Sequence, residues 1–327
     1  MNARANCFCF VFGSFALVVL LGLTGCTPEA TSDKASEAEL PKVVDLEIQT
    51  DPDEGNSVED GSTADDSGSA KKEKGAMQKG ATQLRILAWN VELDGGAKAN
   101  VIAEQLKEFE DYDLIALSEI RPDVFKALKK ATRHKGQLAR SGNNIRLGML
   151  WDDQKFEIEK FEELDELNDD RMRHRSPWVM LVKEKASKRA FYLVTVHLAR
   201  GREKLRQRQA AGIRDWAREQ SLPVIAIGDF NFDYVFADDK GNEAFNVFLQ
   251  DGVMSWVKPA ELIDTNWYDP ESDGEDNYPG SMLDFAFVAN AAKEWDPKCR
   301  VIVRDGDFPD DDSTSDHRPI ELLLSPK

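Results

Sequence analysis

Four apolar stretches of strand length each run into a polar residue, and this repetition constrains the fold more than any other feature of the chain. "LRILAWN" ends in Asn90, "DLIALSE" in Glu119, "FYLVTVH" in His197 and "PVIAIGD" in Asp229. Near-continuous apolar runs of this length read as strands buried on both faces. Side chains at i and i+2 of an extended chain point the same way. Asp229 and Asn231 of "GDFN" are therefore expected to face one spot where their strand ends. Open α/β sheets build their sites at such carboxyl ends. "SMLDFAFV" adds Asp284 near its start, and "SDHRPIELLL" sets Asp316 and His317 just ahead of the last strand. One Asp or Asn at a strand end is an ordinary turn residue. Six such motifs together point to a shared site.

The hydrophobic spacing predicts strand 84–90, helix 97–109, strand 113–118, helix 122–132 and strands 145–151, 177–184 and 189–197. Helix 202–219, strand 223–228, helix 242–250 and strands 283–289, 300–304 and 319–324 follow. Helices mixed with adjacent strand pairs predict two packed sheets flanked by helices, in one domain over 83–327. Ahead of it, residues 27–82 hold 14 acids and 6 bases and little apolar material. Such a segment buries too little apolar surface to offset chain entropy and reads as a disordered acidic linker. Its reach is about 40 Å.

Residues 1–26 carry one basic residue, Arg4, then an uncharged apolar run and Leu23-Thr24-Gly25-Cys26, the pattern of a secretory signal. The ending resembles a bacterial lipobox, which implies lipidation at Cys26 and a domain tethered to a membrane of the cell envelope; the domain is expected to be a monomer. The expected location is the periplasmic or extracellular face. An uncleaved anchor helix is the alternative, since residues 5–23 nearly span a bilayer. Cys7 and Cys9 leave with the signal, so Cys299 is the one thiol left for the domain, too few for a disulfide framework or a Cys-based metal site.

The polar set suits phosphoester hydrolysis. A hard divalent cation wants oxygen ligands, and Mg²⁺ takes one or two carboxylates and keeps waters. Glu119, Asp316 and the Asn90 carbonyl offer such ligands. A carboxylate beside the attacking water and an imidazole beside the phosphoryl oxygens would supply positioning and charge stabilisation. Zinc fits poorly, with two candidate histidines and no thiolate. The other two, His134 and His174, stand in polar, basic sequence and read as solvated.

The ordered set "WN", "SE", "VTVHL", "GDFN", "LDFAFV" and "SDHRP" resembles the endonuclease/exonuclease/phosphatase superfamily across the whole of 84–327. That resemblance implies a four-layer αββα sandwich, an α/β (α+β) fold with the site at one end of the sheets. It also implies roles. Asn90 would orient the phosphate and share in metal binding, Glu119 would be the principal metal ligand and Asp316 a second. Asp229 would position or deprotonate the water, Asn231 contact the phosphoryl group, Asp284 hold the tautomer of His317, and His197 face the phosphate. "RHRSPWVM" resembles the family's Arg-x-Pro segment and makes Arg175 a candidate phosphate contact. The implied cofactor is Mg²⁺ or Mn²⁺, with Ca²⁺ as an auxiliary ion. Two departures stand out. His197 sits where abasic-site endonucleases have a Tyr context, and Asn144-Ile145-Arg146 stands where the deoxyribonuclease branch supplies a Glu to pair with that histidine.

The substrate is less legible. The domain holds 35 bases and 46 acids, yet residues 171–208 hold 12 bases against Glu184 and Glu203. A basic run beside Arg175 and His197 would focus positive potential on an anionic substrate. Two acidic loops, 269–276 and 304–316, would repel the flanking phosphates of an extended polyanion. Trp267, Tyr268 and Tyr278 are loop aromatics that would stack a base, cover a lipid headgroup or simply pack. Three readings stay open: a nuclease acting on DNA or RNA outside the cytoplasm, a lipid or small-molecule phosphoesterase, and a surface-binding lipoprotein without turnover.

Overall fold

The computed structural model describes residues 83–327. The expected signal, Cys26 and the acidic linker lie outside the described residues. The first half runs β1 (Leu84–Asn90), α1 (Ala99–Leu106), β2 (Leu114–Ile120), α2 (Phe125–Thr132), β3 (Lys135–Leu138), β4 (Arg146–Trp151), β5 (Phe156–Glu163) and β6 (Trp178–Glu184). It continues β7 (Ala190–His197), α3 (Glu203–Glu219), β8 (Val224–Val235), α4 (Glu243–Leu249), β9 (Met254–Trp256), β10 (Ser281–Ala289), β11 (Lys298–Val301) and β12 (Ile320–Leu324). These strands form two six-stranded mixed sheets, ordered β11-β12-β1-β2-β4-β3 and β5-β6-β7-β8-β10-β9.

Period-two alternation in strands buried on both faces explains the layers. Leu87 and Trp89 of β1 pack with Ile102 and Leu106 of α1 and Leu128 of α2. Their neighbours Ile86 and Ala88 point the other way and join Val179, Met180 and Val194 of the facing sheet. Ile213 and Ala217 of α3 and Phe248 of α4 pack on the second sheet. There Phe287 lies 4.9 Å from Phe230 and 4.7 Å from Phe248 between ring centroids, at edge-on angles. Helix, sheet, sheet, helix is the expected four-layer order.

Several expectations shift. The helix expected over 97–109 ends at Leu106 and closes in a 3-10 turn, and that expected over 122–132 starts at Phe125. The strand expected at 300–304 lies at Lys298–Val301 instead. The strand expected to stop at 228 runs on as β8 to Val235. Its pairing with β10 breaks register between Met282 and Asp284, so a bulge rather than a strand end sets off the "GDFN" segment. Cys299 is a free, buried thiol pushed up to about 12 by burial, an inert core residue. Among the described residues no helix is long and apolar enough to cross a membrane.

Candidate active site

Strand direction brings the polar ends together. β1 and β2 are parallel with Asn90 beside Ser118, so Asn90 and Glu119 leave the first sheet at the same edge. β7 and β8 are parallel with His197 beside Asp229. β10 runs antiparallel to β8 and sets Asp284 opposite Asp229. β12 runs antiparallel to β1, so its lead-in residues Asp316 and His317 arrive where β1 ends. One hydrogen bond ties the sheets together at this point, Asn90 Nδ2 donating to Asp229 Oδ2 at 3.3 Å.

Asp229 is 2% exposed and held on both oxygens, since the Asn231 backbone N–H donates to Oδ1 at 2.9 Å. Gly228 makes this fit. Its φ is +134°, and a Cβ there would lie 2.4 Å from the Val196 carbonyl oxygen, so only glycine serves. Asn231 and Glu119 both take left-handed backbone, with φ of +51° and +58°, which costs a non-glycine residue on the order of 1–3 kcal/mol. Asn231 thus departs from the extended geometry that would have aimed it beside Asp229. Its Nδ2 donates to the Leu198 carbonyl at 3.0 Å, and Oδ1 is buried without a partner. Glu119 sits where the β2–β4 register shifts between Leu117 and Ile120.

The two histidines are in opposite states. His317 Nδ1 lies 2.7 Å from Asp284 Oδ2, both residues buried. Burial opposes its charge, but Asp284, Asp316 and Asp229 outweigh it and raise His317 well above its ordinary value. His197 lies 3.4 Å from Glu119 Oε1 through Nδ1 and 3.4 Å from Asp229 Oδ2 through Nε2. Neither contact is a formed hydrogen bond, and Nδ1 is buried and unpartnered. Burial, with Arg175, His317 and Arg200 nearby, holds His197 well below its ordinary value and hence neutral. The residues around Asn144 supply it no carboxylate, as the sequence indicated, and Glu119 is the carboxylate nearest its Nδ1.

Three carboxyls are pushed up together. Burial, with the nearby Asp94 carboxyl, takes Glu119 to about 8. Burial also takes Asp316 to about 7, helped by Glu92 and Asp229, and takes Asp229 to about 6, helped by Asp284. Such crowding of like charges out of water is a mark of functional sites. Asn90 is engaged at both oxygens: Oδ1 accepts from Glu92 N at 3.1 Å and the carbonyl accepts from Ser315 Oγ at 2.6 Å. Arg175 is half-buried with an unpartnered Nε, within electrostatic reach of both Glu119 and His197.

Sequence reasoning passed over Glu92, Asp94, Thr265 and Ser315. Glu92 Oε2 accepts from Asp316 N at 2.9 Å, and Thr265 Oγ1 accepts from Leu283 N at 2.9 Å and Asp284 N at 3.2 Å. Glu92 and Asp94 lie two and four residues after Asn90 and Ser315 directly precedes Asp316, but no local pattern marks them or Thr265. His134, read as solvated, is buried with its ring nitrogens 2.6 Å and 2.7 Å from the carbonyls of Thr132 and Tyr112. It pins a turn far along the sheet.

The basic run does not form one surface. Arg173 pairs with Asp169, Lys183 with Glu159 and Arg189 with Glu184. Arg206 is buried against Asp233 and the Ala199 carbonyl, and Arg208 donates to the Asn168 carbonyl. Lys185 donates to the Asp153 carbonyl, and Arg171, Arg175, Lys188, Arg200, Arg202 and Lys204 remain, with no carboxylate within 4.0 Å among the described residues.

Comparison with known proteins agrees with this geometry. The model of the Endonuclease/Exonuclease/phosphatase family matches residues 87–317. A search of curated proteins finds no match. Among solved structures, an endonuclease/exonuclease/phosphatase family protein from Bacteroides thetaiotaomicron is 20% identical, TM-score 0.57, covering 74% of this chain and 95% of that one. TDP2 from D. rerio, complexed with a single-strand DNA product, is 20% identical at TM-score 0.58, covering 74% and 98%. A mannosyl-6-phosphatase from Bacteroides thetaiotaomicron is 20% identical at TM-score 0.53, covering 74% and 99%. At such identities the structural likeness speaks for the fold, and the family match over most of the domain decides the rest: the chain belongs to the endonuclease/exonuclease/phosphatase family of hydrolases acting on phosphoester bonds.

Proposed function

We propose that the chain is a divalent-cation-dependent phosphodiesterase that cleaves nucleic acid outside the cytoplasm, held to the bacterial envelope by a lipid on Cys26. The observation that carries the catalytic part is the pairing of two unlike halves in one pocket. Glu119 and Asp316 are crowded carboxylates, while His317 is charged and locked to Asp284 at 2.7 Å. Family enzymes generally use divalent ions, and the donors here fit one. Asp316 Oδ1 is buried and unpartnered, and Glu119, Asp316 and Asp229 stay raised although His317, Arg175 and Arg200 act against the shift. Among the described residues no three His, Cys, Asp or Glu side chains close into a metal cage. An open site of one or two carboxylates plus water is what Mg²⁺ or Mn²⁺ accepts. The bound cation would neutralise charge on the phosphoryl oxygens.

The chain's own groups do the rest. Asp229, aimed by Asn90 and the Asn231 backbone, is placed to take a proton from the attacking water. The His317 imidazolium and the Arg175 guanidinium face the charge that grows on the phosphoryl oxygens. Asn231 keeps one amide N–H for the same group, and neutral His197 donates one more. Asn90 orients Asp229 through Nδ2, and its two oxygens, each accepting one hydrogen bond, keep a lone pair that could face a cation.

A panel tests the substrate: a single-stranded oligonucleotide, plasmid DNA, RNA, sphingomyelin vesicles and a sugar monophosphate, each with Mg²⁺, Mn²⁺ or Ca²⁺. Cleavage of at least one nucleic acid is expected. Turnover of sphingomyelin or the monophosphate alone would replace this reading with the small-substrate one, which the domain's excess of acids favours. The anchor has its own check. Cys26→Ser should abolish palmitate incorporation, and a labelled variant would move the anchor elsewhere.

A further inference from the structure

A groove of about 1130 Å³ opens beside the catalytic centre and is not used by the chemistry above. Its inner end is Asn266, bridged to His317, and Leu283, next to Asp284. Its lining includes Arg200, Arg202 and Lys204 together with Tyr268 and Tyr278. We infer that this groove holds an unpaired nucleic-acid strand, with a base stacked on the Tyr268–Tyr278 pair and the adjoining phosphates on Arg200 and Arg202. The inference rests on the phosphodiesterase reading and narrows its substrate.

Size comes first. Small-ligand pockets run about 300–1,000 Å³, so this groove exceeds what a sugar phosphate needs. The aromatic pair is next. Tyr278 is 58% exposed and Tyr268 36%, their centroids lie 5.6 Å apart, and the planes are tilted by 33°. An exposed tyrosine pair backed by no core offers its face to a ring. Arg200 sits 4.8 Å over the Tyr268 ring and acts on both His197 and Asp316, so it stands between platform and reaction centre. Cations along a groove with aromatic faces are how unpaired strands are bound without sequence preference.

Strandedness follows from what flanks the platform. Tyr268 and Tyr278 are joined through Asp269, Glu271, Asp273, Glu275 and Asp276. Asp269 and Asp276 spend their carboxylates on backbone N–H groups of the same loop and fix the acids there. The second strand of a duplex would bring its phosphates towards these acids, and its bases would already be stacked. A lone strand meets neither obstacle.

The test is fluorescence anisotropy with the full chain in EDTA, using labelled (dT)12, (rU)12 and a DNA hairpin duplex, with sphingomyelin vesicles as competitor. Tyr278→Ala should weaken (dT)12 or (rU)12 binding by about 5- to 100-fold, and Tyr278→Trp should recover it. Arg200→Ala should flatten the slope of log affinity against log salt by about 0.7. The two oligomers separate DNA from RNA. The inference falls if Tyr278→Ala stays within twofold, if the duplex binds as tightly as the strand, or if vesicles displace the oligomer. Hydrolysis of bis-p-nitrophenyl phosphate by the unaltered chain is measured alongside. Turnover there without a Tyr278 effect removes only the groove assignment, whereas no diester turnover at all removes the phosphodiesterase reading beneath it.

Discussion

Asp284→Asn lowers kcat by about 10²–10⁴-fold, the span assigned to a positioned acid–base group. Asp284 is 1% exposed, its backbone and that of Leu283 are held by Thr265, and its Oδ2 meets His317 Nδ1 at 2.7 Å. Asn keeps the shape and removes the charge. Burial is then opposed only by Asp316 and Asp229, and the His317 pKa falls from its raised position. A base raised on folding contributes stability that is complete below its unfolded value and lost as pH rises through the folded one. The unaltered chain therefore holds a His317 contribution at acid and neutral pH that Asp284→Asn gives up, so the two Tm curves converge towards high pH. In activity, the alkaline limb of the kcat profile moves to lower pH in the variant. A variant within threefold of the unaltered kcat, or an unmoved limb, removes the Asp284–His317 pair from the mechanism.

Glu119→Gln raises the Mg²⁺ concentration needed for half-maximal rate by about 10²-fold or more, beyond the 10–100-fold typical of groups that only support a ligand. Glu119 combines burial with the Asp94 carboxyl, and together they push it up to about 8. A cation must displace that proton and the one on Asp316, at about 7. Affinity in the unaltered chain therefore rises between pH 6.5 and 8.5 by up to about tenfold per unit for each proton released. The cation-free fold shows the opposite trend. Acids raised on folding bind protons that the unfolded chain releases, so stability grows as pH falls from about 8 towards the ordinary carboxylate range. His197, held neutral, works against this below its ordinary value. Mg²⁺ titrations at two pH values and Tm in chelator check both signs. In Glu119→Gln the pH dependence of Mg²⁺ affinity should flatten, and a steep dependence there would assign the proton to another group.

Most of the site was legible because its residues end strands that are apolar throughout, and strand order then decides who meets whom. The missed pieces have physical reasons. β5 reads "FEIEKFEE", an edge strand whose charges guard an open edge and hide the β pattern. β3 and β9 are short, with four and three residues, and lack a period to detect. The continuation of β8 past Asp229 was hidden because Gly228 and Asn231 read as turn residues, although the strand resumes after its bulge. Composition misled at 171–208, where a run of bases is linear in sequence but scattered in space. Only the neighbours that pair with Arg173, Lys183, Arg189 and Arg206 reveal which charges are spent. Glu92 and Asp94 matter through partners on distant strands, which no local pattern encodes.

The central claim is that one end of the sandwich is a cation-dependent centre for breaking phosphodiesters. Its most direct measurement is release of nitrophenolate from bis-p-nitrophenyl phosphate by the full chain, stripped with EDTA and then titrated with Mg²⁺ or Mn²⁺. The account predicts no turnover in chelator, recovery on adding either ion, and no recovery in Asp229→Asn, whose side chain cannot take the water's proton. Full turnover in chelator, or an Asp229→Asn variant as active as the unaltered chain, would contradict it.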